Sequence, residues 1–193
     1  MTESRETLLT QEKMVLVVID VQDRLAAAME QRELVVSATN RLVRTAAMLD
    51  VQIIVTRQYP EGLGGTVPEL EETLVSLAQA GANVVGVDKT AFCCAKETEF
   101  IDALAATGRS QAVLVGMETH ICVTQTALAL ADEYQVHVPA DACCSRDVTN
   151  HMVALDRMRA AGVIVTTSES AMYEAVGVAG TPEFKQLLAI VKS

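Results

Sequence analysis

The sequence predicts an α/β fold in which a parallel sheet carries helices on both faces. Three observations predict it. Short β-branched and aliphatic runs alternate with helical patterns along the chain, the order that produces a parallel sheet. The run Met14–Ile19 is apolar without interruption, as in a strand buried on both faces. The 193 residues, 50% hydrophobic and 21% charged, exclude a disordered chain and suit one domain that buries a core without staples. Aromatic residues make up only 3%, with no Trp, so that core is built from Ala, Val, Leu, Ile and Met.

Residues 1–13 are polar and charged and read as an N-terminal arm ahead of a domain at 14–193. The arm has no apolar segment of the kind a signal peptide needs. Strands are expected at Met14–Ile19, 51–56, 83–87 and 111–115, with weaker candidates at 135–138 and 163–166. A helix at 34–49 would bury a stripe of Leu34, Ala38, Leu42, Thr45 and Leu49. Helices at 97–107 and 149–161 each end before a glycine, Gly108 and Gly162, suited to the left-handed residue that closes a helix. A further Ala- and Leu-rich helix runs over 122–134. The last helix opens with Thr181-Pro182-Glu183, a cap, a proline at the first position and an acid in the first turn. Residues 57–68 hold three glycines and two prolines and read as a loop. No repeat or linker divides the domain.

The formal charge is 15 − 25 = −10. It leaves no basic footprint for nucleic acid and no polybasic patch for a membrane surface, and the longest apolar run is too short to span a bilayer. Five cysteines, an odd number, do not suggest a disulfide framework. Free thiols in a reducing cytoplasm are the expectation. The pairs Cys93-Cys94 and Cys143-Cys144 lack the two-residue gap of zinc and redox motifs. They read as packing, against the alternative of a redox or metal-binding cluster if their loops meet.

In open parallel sheets, ligands bind beyond the carboxyl ends of the strands. Asp20 follows the first strand, Gln58 and Tyr59 the second, Asp88 and Lys89 the third, Gly116 to Cys122 the fourth and Asp141 the fifth. Asp20 is either a helix cap or a general base. Asp23 reads as an exposed acid at a helix start. Lys89 is either a surface lysine or a fixed cation that lowers a thiol pKa or pairs with Asp20. Cys122 sits where a strand, a glycine turn and a helix start meet. The helix dipole there would favour thiolate, and the turn's N–H groups would face an oxyanion. That is the logic of a nucleophile elbow with Cys in place of Ser; the other reading is a small buried hydrophobe. His120 could serve as the thiol's base but reads better as a pocket residue, since Asp20 already offers that role. His120, His137 and His151 show no metal-ligand spacing.

Taken together, Val17-Val18-Ile19-Asp20-Val21-Gln22, Asp88-Lys89-Thr90-Ala91-Phe92 and Gly116-Met117-Glu118-Thr119-His120-Ile121-Cys122-Val123 resemble the isochorismatase-like cysteine hydrolase superfamily. Arg57-Gln58-Tyr59-Pro60-Glu61-Gly62-Leu63-Gly64, Thr66-Val67-Pro68-Glu69-Leu70 and Asp141-Ala142-Cys143-Cys144-Ser145-Arg146 resemble its isochorismatase-domain-containing branch. The resemblance implies a Rossmann-like three-layer α/β fold, a six-stranded parallel sheet flanked by helices. It implies a triad of Asp20, Lys89 and Cys122, and a cis peptide, by position Met117–Glu118, that turns the N–H groups of Glu118 and Cys122 into an oxyanion hole. Gln22, Gln58, Tyr59, Phe92, Thr119 and His120 would line the substrate pocket.

Nicotinamidases of this superfamily carry Asp and several His residues after the second strand that bind a divalent metal. Here that stretch reads Arg57-Gln58-Tyr59-Pro60, so no metal and no cofactor are implied. Isochorismatase itself hydrolyses a vinyl ether, a reaction that need not use a Cys nucleophile; Cys122 points instead to amide or related acyl chemistry. The expectation is a cysteine-dependent hydrolase of a small amide or related C–N substrate working through a thioester. The alternative is a catalytically silent or regulatory binding module. A small-molecule substrate and a homo-oligomer, dimer or larger, are the expected partners, the latter from the apolar helices, the habit of relatives and the general prevalence of symmetric assemblies.

Overall fold

The computed structural model of the protein describes residues 7–192. It is a three-layer α/β sandwich. The parallel sheet is built from β1 (Met14–Ile19), β2 (Ile53–Gln58), β3 (Val84–Lys89), β4 (Gln111–Met117), β5 (Gln135–Pro139), β6 (Cys143–Cys144) and β7 (Ile164–Thr166). The order is β3-β2-β1-β4-β5-β7, and β6 pairs with β4 off this path. β1 pairs on one side with β2, Ile19 opposite Thr56, and on the other with β4, Ile19 opposite Gly116. Strand order therefore reverses between β1 and β4, which opens a crevice at their carboxyl ends.

The helices are α1 (Asp23–Ala26), α2 (Arg32–Met48), α3 (Pro60–Leu63), α4 (Pro68–Gln79), α5 (Thr98–Ala106), α6 (Thr124–Leu130), α7 (Val148–Ala160), α8 (Ser168–Val176) and α9 (Pro182–Val191). Side chains of β1 alternate between two cores, as the pleat requires. Met14, Leu16 and Val18 pack with Val35, Leu42, Leu70, Met172 and Leu187 from α2, α4, α8 and α9. Val15, Val17 and Ile19 pack with Phe100, Leu104, Ala127, Leu155 and Met158 from α5, α6 and α7. No helix among the described residues is long and apolar enough to cross a membrane.

The structure departs from the sequence expectation in several places. The sheet gains a seventh strand: Cys143-Cys144 runs beside Gly116-Met117 instead of lying in a loop, and sends Cys143 to one core and Cys144 to the other. Leu34 is exposed, whereas Ala38, Leu42, Thr45 and Leu49 are buried. The buried face of α2 also takes Val35, Val36 and Val43, so the apolar stripe starts one residue later. The 57–68 stretch contains α3 and an antiparallel bridge between Gln22 and Thr66. The helix expected at 122–134 is shorter, α6, and a π-helical turn, Thr119–Val123, precedes it. Thr181 caps α9 as expected, its hydroxyl accepting from the Phe184 N–H. Of the arm at 1–13, residues 1–6 lie outside the described residues. Leu9 is buried, and its N–H donates to Glu174 Oε2 at 3.0 Å.

His137 on β5 is fully buried, and desolvation holds its pKa down at about 4. An unfolded histidine titrates near about 6.5. Between those values the unfolded chain binds more protons than the folded one, so stability falls as pH drops from 6.5 toward 4. Urea unfolding at the two ends of that window should show the wild type losing on the order of 2 kcal/mol more than His137→Gln. Equal losses would mean that His137 is not what sets the acid limb.

Candidate active site

The reversal of strand order brings the ends of β1 and β4 together, with β2 and β3 beyond β1. Asp20 leaves β1 in the left-handed region, φ 53°, a conformation that Asp tolerates better than most residues. Its Oδ1 accepts a 2.7 Å hydrogen bond from Thr56 Oγ1. Its Oδ2 lies 2.7 Å from Lys89 Nζ, and both side chains are wholly shielded from solvent. Lys89 ends β3, two strands from β1, or roughly 10 Å away by sheet spacing, so a long side chain is needed to cross beneath β2. Gln58, opposite Lys89 in register, meets it on the way, with Oε1 accepting from Nζ at 2.6 Å. The Ala91 and Phe92 carbonyls lie 3.2 and 3.4 Å from Nζ. The ammonium group thus spends its protons inside the protein. Burial, the largest single influence, would lower the Lys89 pKa, but the Asp20 carboxylate and the Cys94 and Cys122 sulfurs together outweigh it and the pKa is raised.

At the end of β4 only glycine fits. Gly116 has φ 122°, and a Cβ there would sit 1.9 Å from the Ile19 carbonyl oxygen. The Met117–Glu118 peptide that follows is cis, the geometry that the resemblance implied. The chain then enters the π-helical turn, where the Glu118 carbonyl accepts from the N–H groups of Ile121 and Val123. Cys122 lies in this turn, 5% exposed, near enough to Asp20 for that carboxylate's charge to act on its thiol. The expectation of a dipole-lowered thiol pKa is corrected: burial and then the Asp20 charge push it up, against the smaller opposing effect of Lys89. The resting group is a protonated thiol beside a carboxylate.

Gln22, expected to line the pocket, is fully buried, and backbone occupies its amide. Oε1 accepts from the Gln58 N–H at 2.7 Å, and Nε2 donates to the carbonyls of Gln58 and Gly64. It is a strut behind the site. Gln58, placed in the same pocket, is instead a partner of Lys89, and its Nε2 donates to the Thr90 carbonyl at 2.7 Å. Tyr59 and Phe92 are about half exposed and stand beside those two residues at the strand ends. Thr119 is buried, with its hydroxyl 2.9 Å from His151 Nδ1. His120 is half-buried and pairs with Ser145 Oγ rather than with the thiol.

Three contributions escaped the sequence reading. Thr56 hydrogen-bonds the Asp20 carboxylate, Gln58 accepts from Lys89, and the Glu118 carboxylate pairs with Arg146 at 3.1 Å. A polar side chain closing an apolar strand was the signal available for the first two. Cys94, taken as packing, lies 3.9 Å from Thr56 Oγ1 and is buried enough that its pKa rises to about 11. All five thiols are free and buried.

Comparison with known proteins carries the resemblance across nearly the whole chain. Isochorismatase domain-containing protein 1 of Salmo salar is 39% identical over 175 residues, 90% of this chain but 59% of that protein. The chain thus spans about three-fifths of that relative's length. Isochorismatase domain-containing protein 2A of Mus musculus is 38% identical over 187 residues, covering 94% of this chain and 84% of the relative. The solved structure of the MAR1 ribonuclease of Caenorhabditis elegans superposes with a TM-score of 0.87 at 34% identity, over 96% of this chain and 93% of that one. The family model for the isochorismatase domain matches residues 14–170. Since that match runs from the first strand through the turn around Cys122, the chain belongs to the isochorismatase family of α/β hydrolases.

Proposed function

We propose that the protein is a cysteine hydrolase that cleaves the C–N bond of a small carboxamide or related carbamoyl compound. One observation carries the reading: a buried thiol, Cys122, beside a carboxylate, Asp20, that a buried ammonium group, Lys89, holds in place. As Sγ attacks the carbonyl carbon, Asp20 takes the thiol proton, and the oxygen becomes an oxyanion facing the N–H groups of Glu118 and Cys122. Collapse breaks the C–N bond, and Asp20 returns its proton to the leaving amine or ammonia. Asp20 then deprotonates a water that attacks the thioester. The acid leaves, and the sulfur regains a proton.

The division of labour follows from the environments. Among the described residues, Asp20 is the carboxylate whose charge acts on the thiol, so it is the base. Lys89 has Asp20, Gln58 and two backbone carbonyls around Nζ, so it exchanges no proton with substrate. Its work is electrostatic: it supplies the counter-charge that holds the Asp20 carboxylate in place beside the thiol. Because the resting thiol is protonated, proton transfer belongs to the attack itself rather than to a preformed thiolate.

The test is ammonia release from a panel of primary amides, ureas and carbamoyl compounds, with mass spectrometry of the peptide containing Cys122 during turnover. The expected result is hydrolysis accompanied by an acyl adduct on Cys122. Hydrolysis without an adduct, and without dependence on Cys122, would refute the covalent route.

A further inference from the structure

Residues 143–151 run beside the nucleophile turn as a continuous partner. Cys143 and Cys144 pair with Gly116 and Met117 through the backbone. The next three turn residues each engage the following stretch. The Glu118 carboxylate accepts from the Arg146 N–H at 2.8 Å and from Arg146 Nε at 3.1 and 3.2 Å. Thr119 Oγ1 meets His151 Nδ1, and His120 Nδ1 meets Ser145 Oγ, both at 2.9 Å. Five consecutive residues are therefore held from one side.

That stretch is itself anchored. The Asp141 carboxylate accepts from the N–H and hydroxyl of Ser168 at the start of α8. Asp147 accepts from Thr149 N and Asn150 N at the start of α7.

The charge distribution within this contact is uneven. The Glu118 side chain is 3% exposed and that of Arg146 62% exposed. Glu118 also carries one of the N–H groups that the proposed mechanism aims at the oxyanion. An unpaired carboxylate on that residue, in a site shielded from water, would oppose the negative charge that develops on the carbonyl oxygen. A guanidinium group bound to it removes the opposition, and the Arg146 backbone N–H and Nε together fix the carboxylate's direction.

We propose that Arg146 is a positioning residue for catalysis. It acts through Glu118, neutralising the buried carboxylate and holding the turn that presents the oxyanion-binding N–H groups. The inference rests on the cysteine-hydrolase reading above, and its test separates the two.

Two electrophiles distinguish the oxyanion site from the thiol. Acetaldehyde adds Sγ to its carbonyl carbon, opens the C=O π bond and leaves the thiol proton on the resulting oxygen, so its adduct uses the oxyanion site. Iodoacetamide forms an Sγ–C bond, expels iodide and passes the thiol proton to Asp20, with no oxyanion formed. Arg146→Ala should lower kcat on the amide by about 10- to 100-fold while KM stays within about twofold, the pattern of a misplaced oxyanion donor. It should weaken acetaldehyde protection of Cys122 by a similar factor and leave iodoacetamide alkylation near the wild-type rate.

Added guanidinium should restore part of the lost rate, because the Arg146 position opens to solvent. Adding Glu118→Gln to Arg146→Ala should raise the rate again, since the unneutralised charge is gone. Arg159→Ala, whose partner is the exposed Asp156, serves as the surface control. Undiminished acetaldehyde protection in Arg146→Ala, or a double variant slower than Arg146→Ala, overturns the role of Arg146 alone. If Arg146→Ala does not fold, Arg146→Lys, which keeps charge but loses the Nε contact, and Glu118→Gln carry the same comparison. A wild-type protein whose Cys122 acetaldehyde never protects overturns both this inference and the reading beneath it.

Discussion

Cys122→Ala will fold and will not turn over substrate. The side chain is small and 5% exposed, so its loss removes one polar contact and little volume, a cost of about 1 kcal/mol. Its loss from the reaction is total. Without Sγ no thioester forms, and what remains is substrate binding and an oxyanion site acting on water, which should leave the rate lower by about 10⁴-fold or more. Cys122→Ser should behave almost as badly. The serine hydroxyl is a far weaker acid than a thiol, and Asp20 is a carboxylate rather than the imidazole that activates serine in other hydrolases. Cys93→Ala, whose thiol faces the Gln125 carbonyl at 3.5 Å, should keep wild-type rates. Ammonia release by the three variants at equal concentration, with circular dichroism as the folding check, decides the matter. Wild-type activity in Cys122→Ala would end the nucleophile assignment.

How much of this site was legible in the sequence depends on how far each cause reaches along the chain. Asp20, Lys89 and Cys122 each follow an apolar strand, and a parallel sheet gathers such ends into one crevice. Position alone therefore nominated them. The elements were legible for the same reason, since strand and helix periodicities are local. The supporting residues were not. A threonine within β2 reads first as a β-branched strand former, and only the β1–β2 register shows that its hydroxyl meets Asp20. Glu118 and Arg146 are 28 residues apart, and their pairing follows from β6, a strand of two residues that no periodicity can announce.

The thiol pKa failed for a different reason. A helix start lowers it in isolation, but the Cys122 turn is buried against Asp20, and desolvation together with a like charge acts more strongly than a terminal dipole. Leu34 failed by one residue of phase. The apolar run continues through Val35 and Val36, and packing against the sheet chose those over the leucine.

Lys89→Met will be the most destabilising of the conservative changes in the site, and its partner change will show why. The Asp20–Lys89 pair is wholly shielded from water. Removing the ammonium leaves a carboxylate that keeps the Thr56 hydroxyl as a donor but loses its counter-charge, and such a stranded buried charge typically costs about 3–5 kcal/mol. Asp20→Asn strands the ammonium instead. Gln58 and two carbonyls still solvate it, so its loss should be smaller than that of Lys89→Met.

The double variant Asp20→Asn/Lys89→Met carries neither charge. Replacing a buried pair by neutral groups of similar size is often close to neutral in stability, so the double should be more stable than Lys89→Met alone, a strongly non-additive cycle. Turnover should be absent from every variant, because the base is gone in two of them and has lost its ion-pair partner in the third. Stability would then return while activity stays lost, which is what distinguishes a pair kept for chemistry from one kept for folding. Urea unfolding of the four proteins at neutral pH measures the cycle. Additive losses would show that the two side chains act on stability independently, and turnover in the double variant would remove Asp20 from its role as base.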